Sequence, residues 1–296
     1  MKNYISVDIG GTAIKYGIIG EDGQILSRGL TDTRAERGGQ AILDTVQGIV
    51  EELFSQEKIS GICISTAGMV DVERGVITYS APLIPDYAGT EYKKVLEERF
   101  FVPCEVENDV NCAGLAESVS GAAAGSRISL TLTVGTGIGG CVVIDGKVFR
   151  GYSGSAGEVG YMKMGDSDFQ TLGAASILSE KVAFWKQEPK RHWSGRRIFA
   201  CAKEGDDLCL RAIDEMADAL GQGIANICCV LNPEMVVLGG GIMAQEEFLK
   251  ERIETAAGRY LVPGIARHTR LAFAKHKNDA GMLGAFYHFR QRHPMN

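Results

Sequence analysis

Residues 6–15, Ser6-Val7-Asp8-Ile9-Gly10-Gly11-Thr12-Ala13-Ile14-Lys15, decide how this chain is read. Residues 4–8 alternate and are rich in β-branched side chains, the pattern of a half-buried strand. Gly10-Gly11 predicts a tight turn, and Ile14, Tyr16 and Ile18 alternate as a second strand ending at Glu21-Asp22-Gly23. Residues 24–30 predict a third strand, so the segment reads as a meander with a glycine turn between its first two strands. A turn without Cβ atoms lets backbone N–H groups approach a phosphate closely, and glycine also permits positive φ. Gly10 and Gly11 are therefore candidate phosphate contacts, and Thr12 adds a hydroxyl. Asp8 stands at the strand end beside that turn. A carboxylate there repels phosphate unless a cation intervenes, which makes Asp8 a candidate to hold Mg2+ through water. Lys15 could reach a phosphate from the second strand. It reads equally as a surface lysine on an alternating strand.

The same plan returns downstream. Residues 129–134 predict a strand, Gly135–Gly140 a glycine-rich turn, and residues 141–144 a second strand. Asp145-Gly146 closes a hairpin into a third strand at 147–150. Gly135, Thr136 and Gly137 are thus a second set of phosphate candidates, and the chain carries an internal duplication of architecture. No GxxxxGK[ST] occurs, and Gly135-Thr136-Gly137 leads into a strand, so neither a P-loop nor a dinucleotide fingerprint is present.

Between the two meanders, apolar spacing predicts helices over 39–56, 90–100 and 109–119 and strands over 61–65 and 102–107. After them come helices at 174–186 and 206–230 and a short strand at 235–238 running into Gly239-Gly240-Gly241. A helix at 244–257, a strand at 270–274 and an apolar helix from 280 to 290 complete an α/β chain. The third glycine run suits close passage of a nucleotide, and equally a strand-to-helix turn. Asp109 follows a strand in Glu107-Asn108-Asp109-Val110-Asn111. A carboxylate there could accept a proton from a hydroxyl that attacks phosphorus, or could simply cap the next helix. In Gly157-Glu158-Val159-Gly160-Tyr161, Glu158 and Tyr161 offer groups that grip sugar hydroxyls. A purely structural glycine loop fits the same stretch.

The chain of 296 residues is 45% hydrophobic and 23% charged, with net charge −6, ample for a core and unsuited to broad attraction of nucleic acid. Its eight cysteines show no zinc-ligand spacing and several lie in apolar runs, so they read as buried free thiols. No signal segment or membrane-length apolar run is evident, which with reduced cysteines points to the cytoplasm. Lys186 to Arg197, basic and flanked by two tryptophans, reads as a solvated surface loop rather than an anion patch.

Taken together, Asp8-Ile-Gly-Gly-Thr12, Glu107-Asn-Asp-Val-Asn111, Thr133-Val-Gly-Thr-Gly-Ile-Gly-Gly140, Ala156-Gly-Glu-Val-Gly160 and Leu238-Gly-Gly-Gly241 resemble the ROK family of sugar kinases and related repressors. The resemblance spans nearly the whole chain. It implies an actin-like, ribonuclease-H-type fold of two α/β lobes, residues 1–115 plus 280–296 and residues 116–279, with an active-site cleft between them. It implies Asp109 as catalytic base, with Gly68, Asn108, Glu158 and Tyr161 toward the sugar. Gly10–Thr12, Gly135–Gly137 and Gly239–Gly241 would face ATP, and a homodimer is expected. The family's usual histidine is here Tyr161, and no cysteine lies between Cys141 and Cys201, so structural zinc is not expected. Residues 171–180 (TLGAASILSE) stand where a second sugar-binding glutamate is usual. These departures look most like the β-glucoside kinase branch, acting at O6. N-acetylmannosamine kinases and glucokinases stay open as alternatives. The family's repressors carry an added helix-turn-helix, for which a first strand beginning by residue 4 leaves no room, so an enzyme is expected.

Overall fold

The computed structural model describes residues 2–80 and 84–294. The chain forms two compact units, Met1–Val119 with Arg150–Ala156 and Asn278–Asn296, and Ser120–Phe149 with Gly157–Lys277.

In the first unit β1 (Asn3–Ile9), β2 (Ala13–Gly20) and β3 (Gly29–Asp32) form the antiparallel meander. The third strand begins later than its pattern suggests. Leu26 N and Ser27 N both donate to Ile18 O, which bulges residues 24–28 away from a regular ladder. Then follow α1 (Gly38–Gln56), β4 (Ile59–Thr66), a hairpin of β5 (Met69–Asp71) and β6 (Val76–Tyr79), α2 (Tyr92–Phe100), β7 (Cys104–Asn108) and α3 (Asp109–Ser120). The hairpin escaped the sequence reading because strands of three and four residues are too short to show a period. The sheet order is β3-β2-β1-β4-β7, with β4 parallel to both β1 and β7.

The period of two gives this sheet two different faces. Ile5, Val7, Ile9, Ile62 and Ile64 pack with Ile42, Val46 and Val50 of α1. The opposite face carries Tyr4, Ser6, Asp8, Cys63, Ser65, Glu105 and Glu107, and the C-terminal helix (Ala280–Arg292) crosses it. Tyr4 anchors that helix through Phe286 and Phe289, with ring centroids 5.4 and 5.3 Å away, and Ser6 Oγ donates to Met282 O at 2.8 Å. Polar side chains from three neighbouring strands thus gather beneath one helix.

The second unit opens with β8 (Ile128–Val134), β9 (Ile138–Ile144) and β10 (Lys147–Val148), again an antiparallel meander. The hairpin β11 (Lys163–Met164) and β12 (Ser167–Asp168) precedes α4 (Phe169–Gly173), α5 (Ala175–Lys186), α6 (Gly195–Lys203) and α7 (Asp207–Leu231). Next come β13 (Met235–Gly239), α8 (Glu246–Tyr260), α9 (Pro263–Ala266) and β14 (Arg270–Phe273). The order β10-β9-β8-β13-β14 matches the first sheet strand for strand, with β13 parallel to β8 and β14. The duplication expected from the glycine turns is therefore one of sheet topology. Gly223 of α7 admits the Phe169 ring, which a Cβ there would meet at 2.3 Å.

Residues 186–197 lie largely exposed at the surface, as their charge suggests, but they are folded around one buried anchor. Trp193 is buried, with Lys186 and Arg197 stacked on its ring at 5.1 and 4.4 Å and its indole N–H donating to Glu188. Lys186 pairs with Asp206 at 2.6 Å, and Ser194 caps α6, which the sequence reading missed. All eight cysteines are free thiols, with Cys229 exposed and Cys201 half-buried; burial pushes Cys209 up to about 12. Among the described residues no helix is long and apolar enough to cross a membrane.

Candidate functional site

Strand register brings the first cluster together. Asp8 on β1 lies opposite Lys15 on β2 and Ser65 on β4. Ser65 Oγ donates to Asp8 Oδ1 at 2.7 Å, and Lys15 Nζ lies 3.3 Å from Oδ2. Lys15, a candidate for reaching phosphate, is in this structure the counter-charge of Asp8. Only 8% of Asp8 is exposed, because the C-terminal helix passes directly over it. A Cβ on Gly281, the second residue of that helix, would lie 2.3 Å from the carboxylate. Asp8 therefore rests against an amino-terminal helical turn, where the helix dipole favours negative charge. Gly281 was missed in the sequence, although a glycine inside an apolar helical pattern is a usable signal of close packing. One carboxylate plus water is the kind of protein share that Mg2+ takes when phosphates supply other oxygens, so Asp8 fits a hydrated Mg2+. Among the described residues no group of three or more His, Cys, Asp or Glu could hold a metal by itself.

The glycine turns differ from their sequence reading in one respect. Neither Gly10, Gly11, Gly135 nor Gly137 adopts positive φ. What glycine leaves there is room: a Cβ on Gly11, Gly135 or Gly241 would meet nothing within 4 Å. The N–H of Gly10 is used by Ala13 O at 3.1 Å and that of Gly135 by Gly137 O at 2.9 Å, so both glycines shape their turns from within. Gly11, Thr12, Thr136 and Gly137 remain as the candidate backbone donors. Thr33 fixes the first turn by donating from Oγ1 to Gly10 O at 2.6 Å and from N to Thr12 O at 3.0 Å. Gly240 does need its freedom, with φ 100 and a Cβ position 2.3 Å from Val134 O. The third glycine run is thereby locked to the end of β8, with Gly239 in register with Thr133.

In the second unit these turns open on a cavity of about 340 Å3. Gly135, Thr136, Gly241, Ile242 and Gln245 form one side, the start of α5 and Gly195, Arg196 and Phe199 of α6 the other. Ala175 N donates to Gly135 O and Ser176 Oγ to Thr136 O, at 2.9 and 2.8 Å. Residues 171–180 thus start a helix braced on the glycine turn. Larger hollows, about 690 and 810 Å3, lie along α5 and α7 and contain none of the candidate residues.

The second carboxylate of the first unit heads α3. Asn108 is the cap, its Oδ1 accepting from Val110 N at 2.9 Å and Asn111 N at 3.0 Å. Asp109 is thus released from the capping role that the sequence allowed it. Its Oδ1 accepts from Val110 N at 2.9 Å and from Asn108 Nδ2 at 3.1 Å, which sets the carboxylate plane. The other Asn108 amide proton goes to Gly68 O at 2.9 Å. Gly68 itself has φ 95, and a Cβ would meet Tyr79 O at 2.7 Å. Asn108, expected at the sugar, therefore spends its amide on tying the Gly68 loop to Asp109.

In the second unit Gly157 and Gly160 press their turn onto β9. Cβ atoms there would lie 2.1 Å from Gly140 O and 2.4 Å from Ile138 O, and Gly140 N donates to Gly157 O at 3.0 Å. These glycines are structural, and they present Glu158. That side chain is solvent-accessible, yet the protein around it displaces enough water to push its carboxyl above the usual range. Tyr161 is 56% exposed at the end of the same turn.

Two strand–glycine turn–strand units, carboxylates near strand ends and a cavity of about 340 Å3 on the second glycine turn suit a phosphate-bearing ligand. Residues 4–292 match the model of the ROK family. The chain belongs to the ROK family. A β-glucoside kinase of Klebsiella pneumoniae is 34% identical over 96% of this chain and 95% of its own length. A proposed N-acetylmannosamine kinase of Listeria monocytogenes superposes with TM-score 0.88 at 30% identity, covering 98% of this chain and 99% of that one. A ROK glucokinase of Streptomyces griseus, solved with glucose and AMPPNP, gives TM-score 0.85 at 27% identity over 98% and 99%. This ROK protein is accordingly a carbohydrate kinase with the two-lobed actin-like α/β fold.

The pairing of Glu107 with Arg150 and His288 in this ROK kinase had no sequence signal. Glu107 is 1% exposed beneath Asp109. Arg150 Nε donates to its Oε2 at 2.9 Å, with Arg150 Nη2 closing on the same oxygen, and His288 Nδ1 stands 3.9 Å away. Partners so far apart in sequence leave no local pattern.

Proposed function

We propose that this ROK kinase transfers the γ-phosphate of ATP to the O6 hydroxyl of the non-reducing glucose in a β-glucoside of the cellobiose type. Phosphoryl transfer needs a base at the attacking hydroxyl and fixed donors around the phosphate. The observation that carries this reading is Asp109: a carboxylate at a helix head whose plane is set by Val110 N–H and the Asn108 amide, with the cap supplied by its neighbour. In the proposed step Asp109 accepts the proton as O6 forms its bond to phosphorus, and the electrons of the breaking P–O bond leave on ADP. Thr12, Thr136 and the backbone donors of Gly11 and Gly137 oppose the charge that develops on phosphate oxygens. Asp8 holds hydrated Mg2+, which when bound neutralises charge on the phosphates. Arg196, Phe199 and Gly239–Gly241 line the nucleotide's place. Glu158 and Tyr161 face sugar hydroxyls, and the Gly68 loop is a further sugar contact.

The acceptor class is supported by the full-length similarity to a β-glucoside kinase together with Tyr161 in place of the usual histidine. The similarity to the Listeria protein favours N-acetylmannosamine as the second reading. The enzyme is further proposed to act as a cytoplasmic homodimer on small molecules. A coupled ADP-release screen over cellobiose, gentiobiose, glucose, fructose and N-acetylmannosamine tests the acceptor. The β-glucoside reading expects the disaccharides to give the highest kcat/KM. Glucose or N-acetylmannosamine far above them would overturn it.

A further inference from the structure

Arg150 is the first residue of a seven-residue stretch, Arg150–Ala156, that the chain contributes to the first unit between two passages through the second. The stretch closes on itself, with Ala156 N donating to Arg150 O at 3.1 Å, and Ser155 Oγ reaches Met69 Sδ at 3.7 Å beside the Gly68 loop. Gly157 and Glu158 follow directly. At its base the Arg150 guanidinium grips Glu107, and its Nη2 lies 3.4 Å from His288 Nδ1. The other oxygen of Glu107 faces α3: Oε1 accepts from Asn108 N at 2.8 Å and from Asn111 Nδ2 at 3.1 Å. One buried carboxylate is therefore shared between the head of the helix that bears Asp109 and the stretch that leads to Glu158.

We infer that Arg150, through Glu107, is a positioning residue that couples the Arg150–Ala156 stretch, which leads to the proposed sugar contact Glu158, to the placement of Asp109. The inference rests on the proposed role of Asp109. Its physical basis is geometric. A forked guanidinium on a carboxylate fixes direction as well as distance, which a lysine ammonium does not. Glu107 has three further contacts that prevent it from following a displaced Arg150: the Asn108 N–H at the cap of α3, the Asn111 amide on α3, and the packed C-terminal helix carrying His288. A charge so enclosed stays put when its partner is held, and the loop is held with it. The arrangement predicts that weakening the grip acts on the sugar and on turnover, and leaves ATP alone, because none of these groups lines the nucleotide cavity.

The test uses the full chain with sugar and ATP varied independently, on Arg150→Lys, Arg150→Met and the double variant Arg150→Met/Glu107→Gln. The double variant removes both charges, so no unpaired buried carboxylate is left to unfold the protein. Misplacement by about 1 Å can lower a rate about a hundredfold, so Arg150→Met is expected to lower kcat/KM for sugar by about that factor with ATP KM unchanged. The double variant should melt as a folded protein and show the same selective loss, and Arg150→Lys should recover part of it. Wild-type sugar constants in the double variant would overturn the inference, as would a loss of turnover that disappears once the rate is divided by the folded fraction read from the melt. Asp109→Ala run in parallel separates the two claims. If it is inactive while the Arg150 variants are normal, only the coupling fails; if it is active, the reading of Asp109 fails.

Discussion

Gly281→Ala adds one methyl group in a helix, a change that usually stabilises by about 0.5–1 kcal/mol. Here the new Cβ would stand 2.3 Å from Asp8 Cγ and Oδ1 and 2.5 Å from Oδ2, whereas ordinary contact begins near 3.4 Å. About 1 Å must be found, and Asp8 cannot supply it freely. Ser65 holds one oxygen, Lys15 the other, and β1 is paired on both edges. Either the Ser65 hydrogen bond breaks or the amino end of the C-terminal helix lifts. Overpacking of this kind costs about 1–3 kcal/mol, partly offset by helix propensity, so the variant should fold and melt only slightly lower. A displacement of the proposed Mg2+-holding carboxylate by about 1 Å is expected to reduce kcat/KM for ATP about a hundredfold. Coupled ADP release with MgATP varied reads the loss, and sugar binding measured by calorimetry should be unchanged. A folded Gly281→Ala enzyme with wild-type kcat/KM for ATP would refute the placement of Asp8 in the nucleotide half of the site.

Other expectations follow from the geometry. Glu158 accepts through both carboxylate oxygens only when ionised, and its carboxyl titrates above the usual range, so sugar KM should rise as pH falls toward that raised value. Glu158→Gln should remove this dependence; a sugar KM that is flat with pH in the wild type would contradict it. His288 is buried and held below its ordinary value by desolvation, against Glu107 and Glu105 and alongside Arg150 and Arg292. Its contribution to stability is present above the unfolded-state pKa of about 6.5 and is lost as pH falls through the lowered folded value. Thermal melts of His288→Gln should show a shallower acid loss, and an unchanged slope would count against it. Arg196→Ala, an exposed change beside the cavity, should raise ATP KM about tenfold with stability within about 0.5 kcal/mol; an unchanged ATP KM would remove Arg196 from the nucleotide site.

The strand–turn–strand plan was legible because period two and glycine are strong local signals, and the second copy sharpened the first. Locally, Asn108 and Asp109 were indistinguishable as caps, since both carry an acceptor oxygen on Cγ; only the hydrogen bonds assign the cap to Asn108. Charge read 186–197 rightly as a surface stretch but gave no sign of its anchor, Trp193, or of the contacts with Glu188 and Asp206 that hold the segment folded. For the glycines at 10, 11 and 135 the expected positive φ is absent; Gly11 and Gly135 leave open space, and Gly10 closes its turn on Ala13 O. Arg150 was invisible as a site residue because its partner Glu107 is distant in sequence, and Gly281 signalled close packing without naming its distant partner Asp8. Such contacts arise from topology, here from the helix that returns at the chain's end to cover the polar face of the first sheet.

The most direct test is Asp109→Asn, which preserves size and much of the hydrogen bonding while removing the proton acceptor. Turnover with the best sugar of the screen should fall about 10²- to 10⁴-fold, the usual weight of a general base, while calorimetric sugar affinity stays near wild type. An Asp109→Asn enzyme with near-normal kcat would contradict the account.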